Sequence, residues 1–393
     1  MPDTSHSALG LAPAPMAVSP LQRIQQQRFI LGLFLPIQDG GWTPSTSERE
    51  TQWSFGYNAR LAQQAEALGF DLAFALAQWV GKGGYGGQMH YREQSLDPLT
   101  VTAGLASLTD RMLLISTVHI LYGWHPLQIA KFGATLDDMT GGRWGINVVT
   151  GYKKSEYAMF GTAMPEHDLR YRMAEEFTEV MEKLWRQEDA TGGNGNLTFA
   201  GEYWSGKNAY VTPKPCFGRP LIVSAGTSAA GIDFAARRSD LMFVTSPGGA
   251  DIDQAIATLG PHIARIKEQA AQHGRQIKCI VNPHVICRDT EREARAYLQR
   301  ILDGEDDEAV DNFMASITSG DTQGWRQHDR SGWAAGGNIQ IVGSPQQVAE
   351  YMAKLKAIGC DGVQINFFDF EPDLKHFGEC VLPLLRQAGL RDA

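Results

Sequence analysis

Short apolar runs recur along the chain, and most are followed by a segment whose apolar residues return at helical spacing. Residues 29–35 (FILGLFL), ended by Pro36, read as a first buried strand. Residues 55–68 then place Leu61, Ala62, Ala65 and Leu68 on one helical face and stop at Gly69. The alternation continues with strands at 71–76, 112–116, 144–149, 221–224, 241–244, 277–286 and 362–366. Between and after them lie helices at 98–108, 126–139, 170–185, 229–237, 251–273, 291–302, 344–358 and 373–385. Asp97 before Pro98 is a good N-cap with proline in the first turn. Pro283 inside the seventh strand implies a bend or bulge. Eight strands alternating with amphipathic helices predict an α/β fold with a parallel sheet, and eight repeats predict closure into a (β/α)8 TIM barrel with insertions. An open doubly wound sheet is the alternative.

Three segments stand outside the alternation. Residues 1–27 are rich in Ala, Pro, Ser and Gln, lack the basic start and apolar centre of a signal peptide, and are expected to form a disordered tail before a single domain at 28–393. The segment 186–219 is an irregular insertion with the aromatic pair Tyr203 and Trp204. A second insertion, 303–337, is polar and glycine-rich, with no clear core. A connection of that length predicts a lid or a disordered segment.

Composition narrows the partners. Against 35 Lys and Arg stand 44 Asp and Glu, a net charge of −9, which argues against nucleic acid and anionic membrane surfaces. No apolar run is long enough to span a bilayer. The five cysteines, Cys216, Cys279, Cys287, Cys360 and Cys380, form no CxxC pair and read as reduced thiols of a cytoplasmic protein.

The densest chemistry lies between Gly141 and Tyr171. A strand there opens onto Asn147 and Thr150, and Glu156, His167, Asp168, Arg170 and Tyr171 follow before a helix. Polar side chains delivered past the C-terminal end of a barrel strand are how this architecture builds active sites; a buried strand with a solvated loop is the plainer alternative. Gly226-Thr227-Ser228 joins the fifth strand to a helix, where Ser228 is either an ordinary N-cap or part of an anion site. Arg170 and Tyr171 would add a cation and a hydroxyl to a phosphate there. His119 and His125 follow the third strand and are pocket candidates, though His125 also reads as a helix start. Residues 81–86 match G-x-G-x-x-G but open no apolar helical period, so they read as a loop near a ligand or a turn. No H-E-x-x-H, Cys/His metal spacing, G-x-S-x-G or Walker loop is present, so a metal site, a serine hydrolase and an NTPase are not expected.

The chain resembles the bacterial luciferase-like family of flavin-dependent monooxygenases, in the branch with dimethyl sulfone, alkanesulfonate and pyrimidine monooxygenases. The likeness runs through 53–58 (WSFGYN), 61–70 (LAQQAEALGF), 135–143 (TLDDMTGGR), 147–151 (NVVTG), 167–171 (HDLRY), 225–228 (AGTS), 342–345 (VGSP) and 377–385 (FGECVLPLL), and covers about residues 29–390. It implies a TIM barrel binding FMN, used in reduced form and supplied by a separate NAD(P)H:flavin reductase. It implies a cytoplasmic homodimer or homotetramer that inserts one atom of O2 into a small molecule through a flavin peroxide. By the same resemblance Thr117 and Asn147 stand beside the flavin's reactive edge, and Trp79 and Val80 match a flavin-contacting pair. Glu156 matches a contact near the ribityl chain or ring, and His167 a histidine near flavin or substrate. Arg170, Tyr171 and Ser228, with Gly226 and Thr227, match the phosphate grip. The expected substrate is organosulfur, an alkyl sulfone or sulfonate cleaved at its C–S bond. The alternatives are oxidative ring opening of a pyrimidine or other N-heterocycle, deazaflavin-dependent hydride transfer, and non-catalytic flavin binding.

Overall fold

Eight parallel strands close into a barrel in the computed structural model, which describes residues 16–186, 195–318 and 329–392. Among the described residues the strands, in chain order, are β1 (Ile30–Phe34), β2 (Leu72–Ala75), β3 (Leu113–His119), β4 (Trp144–Val149), β5 (Leu197–Ala200), β6 (Ser205–Ala209), β7 (Leu221–Ser224), β8 (Leu241–Phe243), β9 (Lys278–Val281), β10 (Pro283–Cys287), β11 (Ile339–Gly343) and β12 (Gly362–Ile365). The barrel runs β1-β2-β3-β4-β7-β8-β9-β12, and β12 returns to β1 with Ile30 opposite Gly362. The expected closed barrel is therefore present, with helices between successive strands. Its strands are apolar on both faces because side chains fill the interior and helices cover the outside. Phe74 ties the interior together, its ring edge-on to Phe34 at 5.1 Å and to Phe243 at 4.7 Å.

Four local expectations change. The seventh strand divides at Pro283. Lys278–Val281 stays in the barrel, while Pro283–Cys287 leaves it to pair with β11, a strand not anticipated. Proline has no N–H to give the barrel ladder, so the break falls where the donor is missing. Third-strand pairing extends to His119, opposite Val149, which carries Thr117 and His119 on rigid backbone. Within the first insertion, 187–194 lie outside the described residues and the remainder includes the antiparallel hairpin β5–β6. The Glu176 carboxylate holds its turn by accepting the amides of Glu202, Tyr203 and Trp204. The tail also orders earlier than expected. Pro20–Gln26 is a helix with a Ser19/Gln22 capping box and a buried Ile24, whereas residues 1–15 lie outside the described part.

The second insertion, expected to be coreless, has a core. Helix Asp307–Thr318 puts Ala309, Val310, Phe313 and Ile317 against Tyr85, Tyr91 and Trp333. That apolar stripe is hidden in the sequence among acidic residues and glycines. The G-x-G-x-x-G loop docks against the start of this helix and does not open a dinucleotide fold. Gly87, at φ +73°, leaves room for Asp306, whose Oδ1 would stand 2.0 Å from an added Cβ. Asp306 also accepts the Met89 amide at 2.9 Å. Residues 319–328 of the insertion lie outside the described part.

Candidate active site

A cavity of about 220 Å³ opens at the C-terminal mouth of the barrel. Its wall is built from the ends of strands and the loops that leave them. Asn147, His119, Glu156, His167, Arg170, Tyr171, Gly226, Thr227 and Ser228 all line it.

On one side lie the ends of β4 and β7 with the loop 226–228. Ser228 caps helix Ala229–Arg238, its Oγ accepting the Gly231 amide at 3.1 Å. The first amides of a helix lack intrahelical acceptors and carry the positive end of its dipole. Gly231 is required here. An added Cβ would stand 2.7 Å from the Tyr171 hydroxyl and 3.2 Å from Gly226 Cα, closing the concavity between helix and tyrosine. Arg170 is buried and donates to the Gly151 carbonyl, so its guanidinium is fixed at the cavity wall. Helix His167–Arg186 begins earlier than the apolar pattern suggested and carries His167 in its first turn. His167 is partly exposed, with Nδ1 2.7 Å from Asp168 Oδ1.

At the floor, register pairs Thr117 with Asn147 on adjacent strands. Asn147 Nδ2 donates to Thr117 Oγ1 at 3.0 Å, both residues are about 1% exposed, and Asn147 Oδ1 has no partner. A buried amide oxygen left unpaired is costly, about 1–3 kcal/mol, unless a ligand supplies a donor. Thr117 itself does not reach the lining and acts by orienting Asn147.

Beside the floor sits a buried polar cluster of which the sequence marked two members, Glu156 and His119. Its carboxylate accepts the Tyr122 hydroxyl at 2.7 Å, pairs with Lys153 Nζ at 3.3 Å and faces His119 Nδ1 at 3.6 Å. Lys153 Nζ also donates to the Tyr85 hydroxyl at 2.5 Å. Burial lowers His119 to about 4, against the raising influence of Glu156, so its imidazole is neutral at physiological pH. Burial pushes Tyr122 up, as does the adjacent Glu156 carboxylate, so it stays a hydrogen-bond donor. Burial works against the Lys153 ammonium, but Tyr152, Tyr85 and Glu156 outweigh it and keep the lysine charged. The i to i+3 spacing of Lys153 and Glu156 in Lys-Lys-Ser-Glu was a legible signal for this pair. The long-range partners Tyr85 and Tyr122 carried none.

Three candidates stand apart. Trp79 and Val80 do not line the cavity. Trp79 is 42% exposed and edge-on to Phe160, and Val80 packs with the Tyr85–Phe313 cluster, while the preceding Gln78 reaches the wall. His125 is a capping residue, its Nδ1 accepting the Leu127 amide at 3.2 Å. The far wall holds residues that no motif marked: Trp42, Arg92, Phe313, Trp333, Asn282 and Asn338.

A family model described as Luciferase-like monooxygenase matches residues 30–362. An FMNH(2)-dependent dimethylsulfone monooxygenase of Pseudomonas fluorescens (strain Pf0-1) is 34% identical, with 93% of this chain and 96% of the relative covered. A pyrimidine monooxygenase, RutA of Enterobacter cloacae, is 32% identical over 91% of this chain and 96% of its own. Among solved structures, a riboflavin lyase (RcaE) with modified FMN and its substrate riboflavin superposes with a TM-score of 0.77 at 25% identity, covering 93% of this chain and 92% of that one. With the closed barrel, the mouth-side cavity and a family match over most of its length, this chain belongs to the luciferase-like monooxygenases.

Proposed function

We propose that the protein is an FMNH2-dependent monooxygenase of a small organosulfur compound, an alkyl sulfone or sulfonate. The observation that carries this reading is the junction, in one cavity, of an anion cradle at Gly226–Ser228 and Gly231 with an orphaned amide at Asn147. The residues present fit a flavin mononucleotide. Ser228, Tyr171, Arg170 and the helix amides would hold the phosphate, and Asn147, with an open acceptor and a second amide proton, would face the ring. The cradle follows the barrel's fifth strand, where this architecture more often binds phosphate after its seventh and eighth.

When bound, reduced FMN supplies the two electrons and the activation of dioxygen that monooxygenation needs. One oxygen atom enters the substrate and the other leaves as water. Asn147, oriented by Thr117, donates a hydrogen bond where negative charge develops on oxygen. The Glu156 cluster holds the loop after β4 in place and keeps a neutral His119 beside the site. Phe313, Ile317 and Trp333 cover the mouth and exclude water. Because the flavin must arrive reduced, a separate NAD(P)H:flavin reductase is the inferred partner.

The organosulfur class is favoured by the dimethylsulfone relative, which matches along nearly the whole chain. The second reading, ring opening of a pyrimidine, is favoured by the RutA relative at similar identity. The test is incubation with a flavin reductase, NADH, FMN and labelled O2 against dimethyl sulfone, short alkanesulfonates and uracil. Label is expected in the product of a sulfur compound. Label in a uracil product alone selects the second reading, and none above background flavin oxidation refutes both.

A further inference from the structure

The far wall of the cavity holds a charge that the protein itself does not neutralise. Arg92 lines the cavity and is 4% exposed. No carboxylate among the described residues pairs with it, and Glu156 is already engaged by Tyr122 and Lys153. Its Nη1 donates to Gln78 Oε1 at 3.2 Å, and its Nε has no partner. What surrounds the guanidinium is aromatic: Trp42, Tyr91 and Phe313 have ring centroids 4.8, 4.9 and 4.9 Å from its central carbon. Such rings stabilise a cation without cancelling its charge. A buried, unpaired charge costs several kcal/mol. The backbone adds to this, since Arg92 sits at φ +62°, a left-handed conformation that costs a bulky residue about 1 kcal/mol or more. Two unfavourable features at one position point to a role that a bound group completes.

Position in the barrel separates this role from the anion cradle. Between β1 and β7 lie three strands in either direction, so the loops after β1 and β7 face each other across the mouth. Trp42 follows β1, opposite the cradle after β7, and Arg92, which follows β2, lies over the Trp42 ring at 4.8 Å. A phosphate held at Ser228 therefore leaves Arg92 for something else.

We propose that Arg92 is the specificity-determining anchor of this cavity, and that the substrate carries a compact oxyanion, a sulfonate or carboxylate, on an apolar body. The planar guanidinium offers parallel N–H donors to two oxygens of one such group, in a site already stripped of water. The aromatic rings around it contact the apolar remainder. Among organosulfur compounds the anchor favours charged sulfonates over neutral sulfones. This inference rests on the reading of the opposite side as the flavin site.

The test is calorimetry, with and without oxidised FMN, on matched pairs: methanesulfonate against dimethyl sulfone, ethanesulfonate against ethyl methyl sulfone, with acetate and propionate as the carboxylate arm. The wild-type protein is expected to bind at least one oxyanion about tenfold or more tightly than its neutral counterpart, with affinity falling as salt is raised. Arg92→Gln is expected to erase that preference and leave the FMN dissociation constant within about twofold, and Arg92→Lys to restore part of it by keeping the charge. Equal binding of charged and neutral partners, or no oxyanion binding at all, overturns the proposal. So does a loss of FMN affinity in Arg92→Gln comparable to the loss of oxyanion, which would make Arg92 a flavin residue. If Arg92→Gln does not fold, Arg92→Lys and the wild-type salt dependence decide. Failure of the wild-type protein to bind FMN defeats the flavin reading and leaves the oxyanion comparison to be read in its absence.

Discussion

Asn147 and Ser228 show how far single residues can be read. Asn147 was marked from its place near the end of a strand and Ser228 from its place after one, and both line the cavity. Asn147→Ala removes the donor at the floor and is expected to lower turnover about a hundredfold or more, with FMN affinity nearly unchanged. Single-turnover rates beside a fluorescence titration of FMN would separate the two effects, and parental turnover would exclude the assignment. Ser228→Ala combined with Tyr171→Phe removes two hydroxyls from the cradle and is expected to raise the FMN dissociation constant about tenfold or more. An unaltered constant would remove the phosphate site. Glu156 was visible as a polar residue near the site, but its role was not. The hydroxyl that it accepts belongs to Tyr122, and the lysine that it pairs with also reaches Tyr85, 68 positions away. Arg92 was missed because a lone arginine in a polar loop looks solvated until burial and an absent counter-charge are measured.

Among the elements, the helix Asp307–Thr318 changes the picture most. Its apolar stripe closes over the mouth, and its first turn rests on the glycine loop. Arg330 fastens the far end of the insertion by donating to Glu305, Asp307 and Asp311. Exposed pairs contribute little singly, so packing against Tyr85 and Tyr91 is the main attachment. Gly87→Ala puts a methyl group where Asp306 stands and forces a left-handed alanine, so it is expected to loosen this cover by about 1 kcal/mol or more. Limited proteolysis reads it out. The variant should be cut faster within 304–337 than the parent, and FMN with substrate should protect the parent. Equal cleavage with and without ligand would exclude a lid. The eight barrel strands were legible, because buried parallel strands are continuous apolar runs, whereas the short, half-exposed β5–β6 hairpin was not. The β10–β11 pair was not, since one strand was concealed in a longer run and the other alternates next to a glycine-rich stretch.

For the whole molecule, two buried histidines couple stability to pH. Burial lowers both His119 and His284 to about 4, and His284 is fully enclosed with Nδ1 2.9 Å from the Ala335 carbonyl. The unfolded chain takes up these protons as pH falls through about 6.5, and the folded chain only near 4. The unfolded state thus binds more protons in that window, and stability falls as pH falls, by up to a few kcal/mol per histidine. Asp373 opposes this. Burial raises it to about 6 despite Arg288, so the folded state protonates first and gains relative stability as pH falls from about 6 towards 3.8. The two histidines are expected to prevail. Denaturant midpoints measured from about pH 7 down to about pH 4.5 should decline, and His284→Gln should flatten the decline. An identical slope in that variant would rule out His284 as a source.

The sequence by itself determined the barrel, the order of its strands, the family and the residues that follow β4 and β7. Each of these is carried by local apolar periodicity or by short contiguous motifs, which depend on neighbours a few positions apart. Tertiary structure alone decided that the glycine loop is a docking surface, that Trp79 stays outside the cavity, that the second insertion has a core, and that Arg92 lies buried without a counter-charge. Those outcomes depend on which loops meet across the mouth, and closure of the barrel brings together side chains whose separation along the chain leaves no periodic trace.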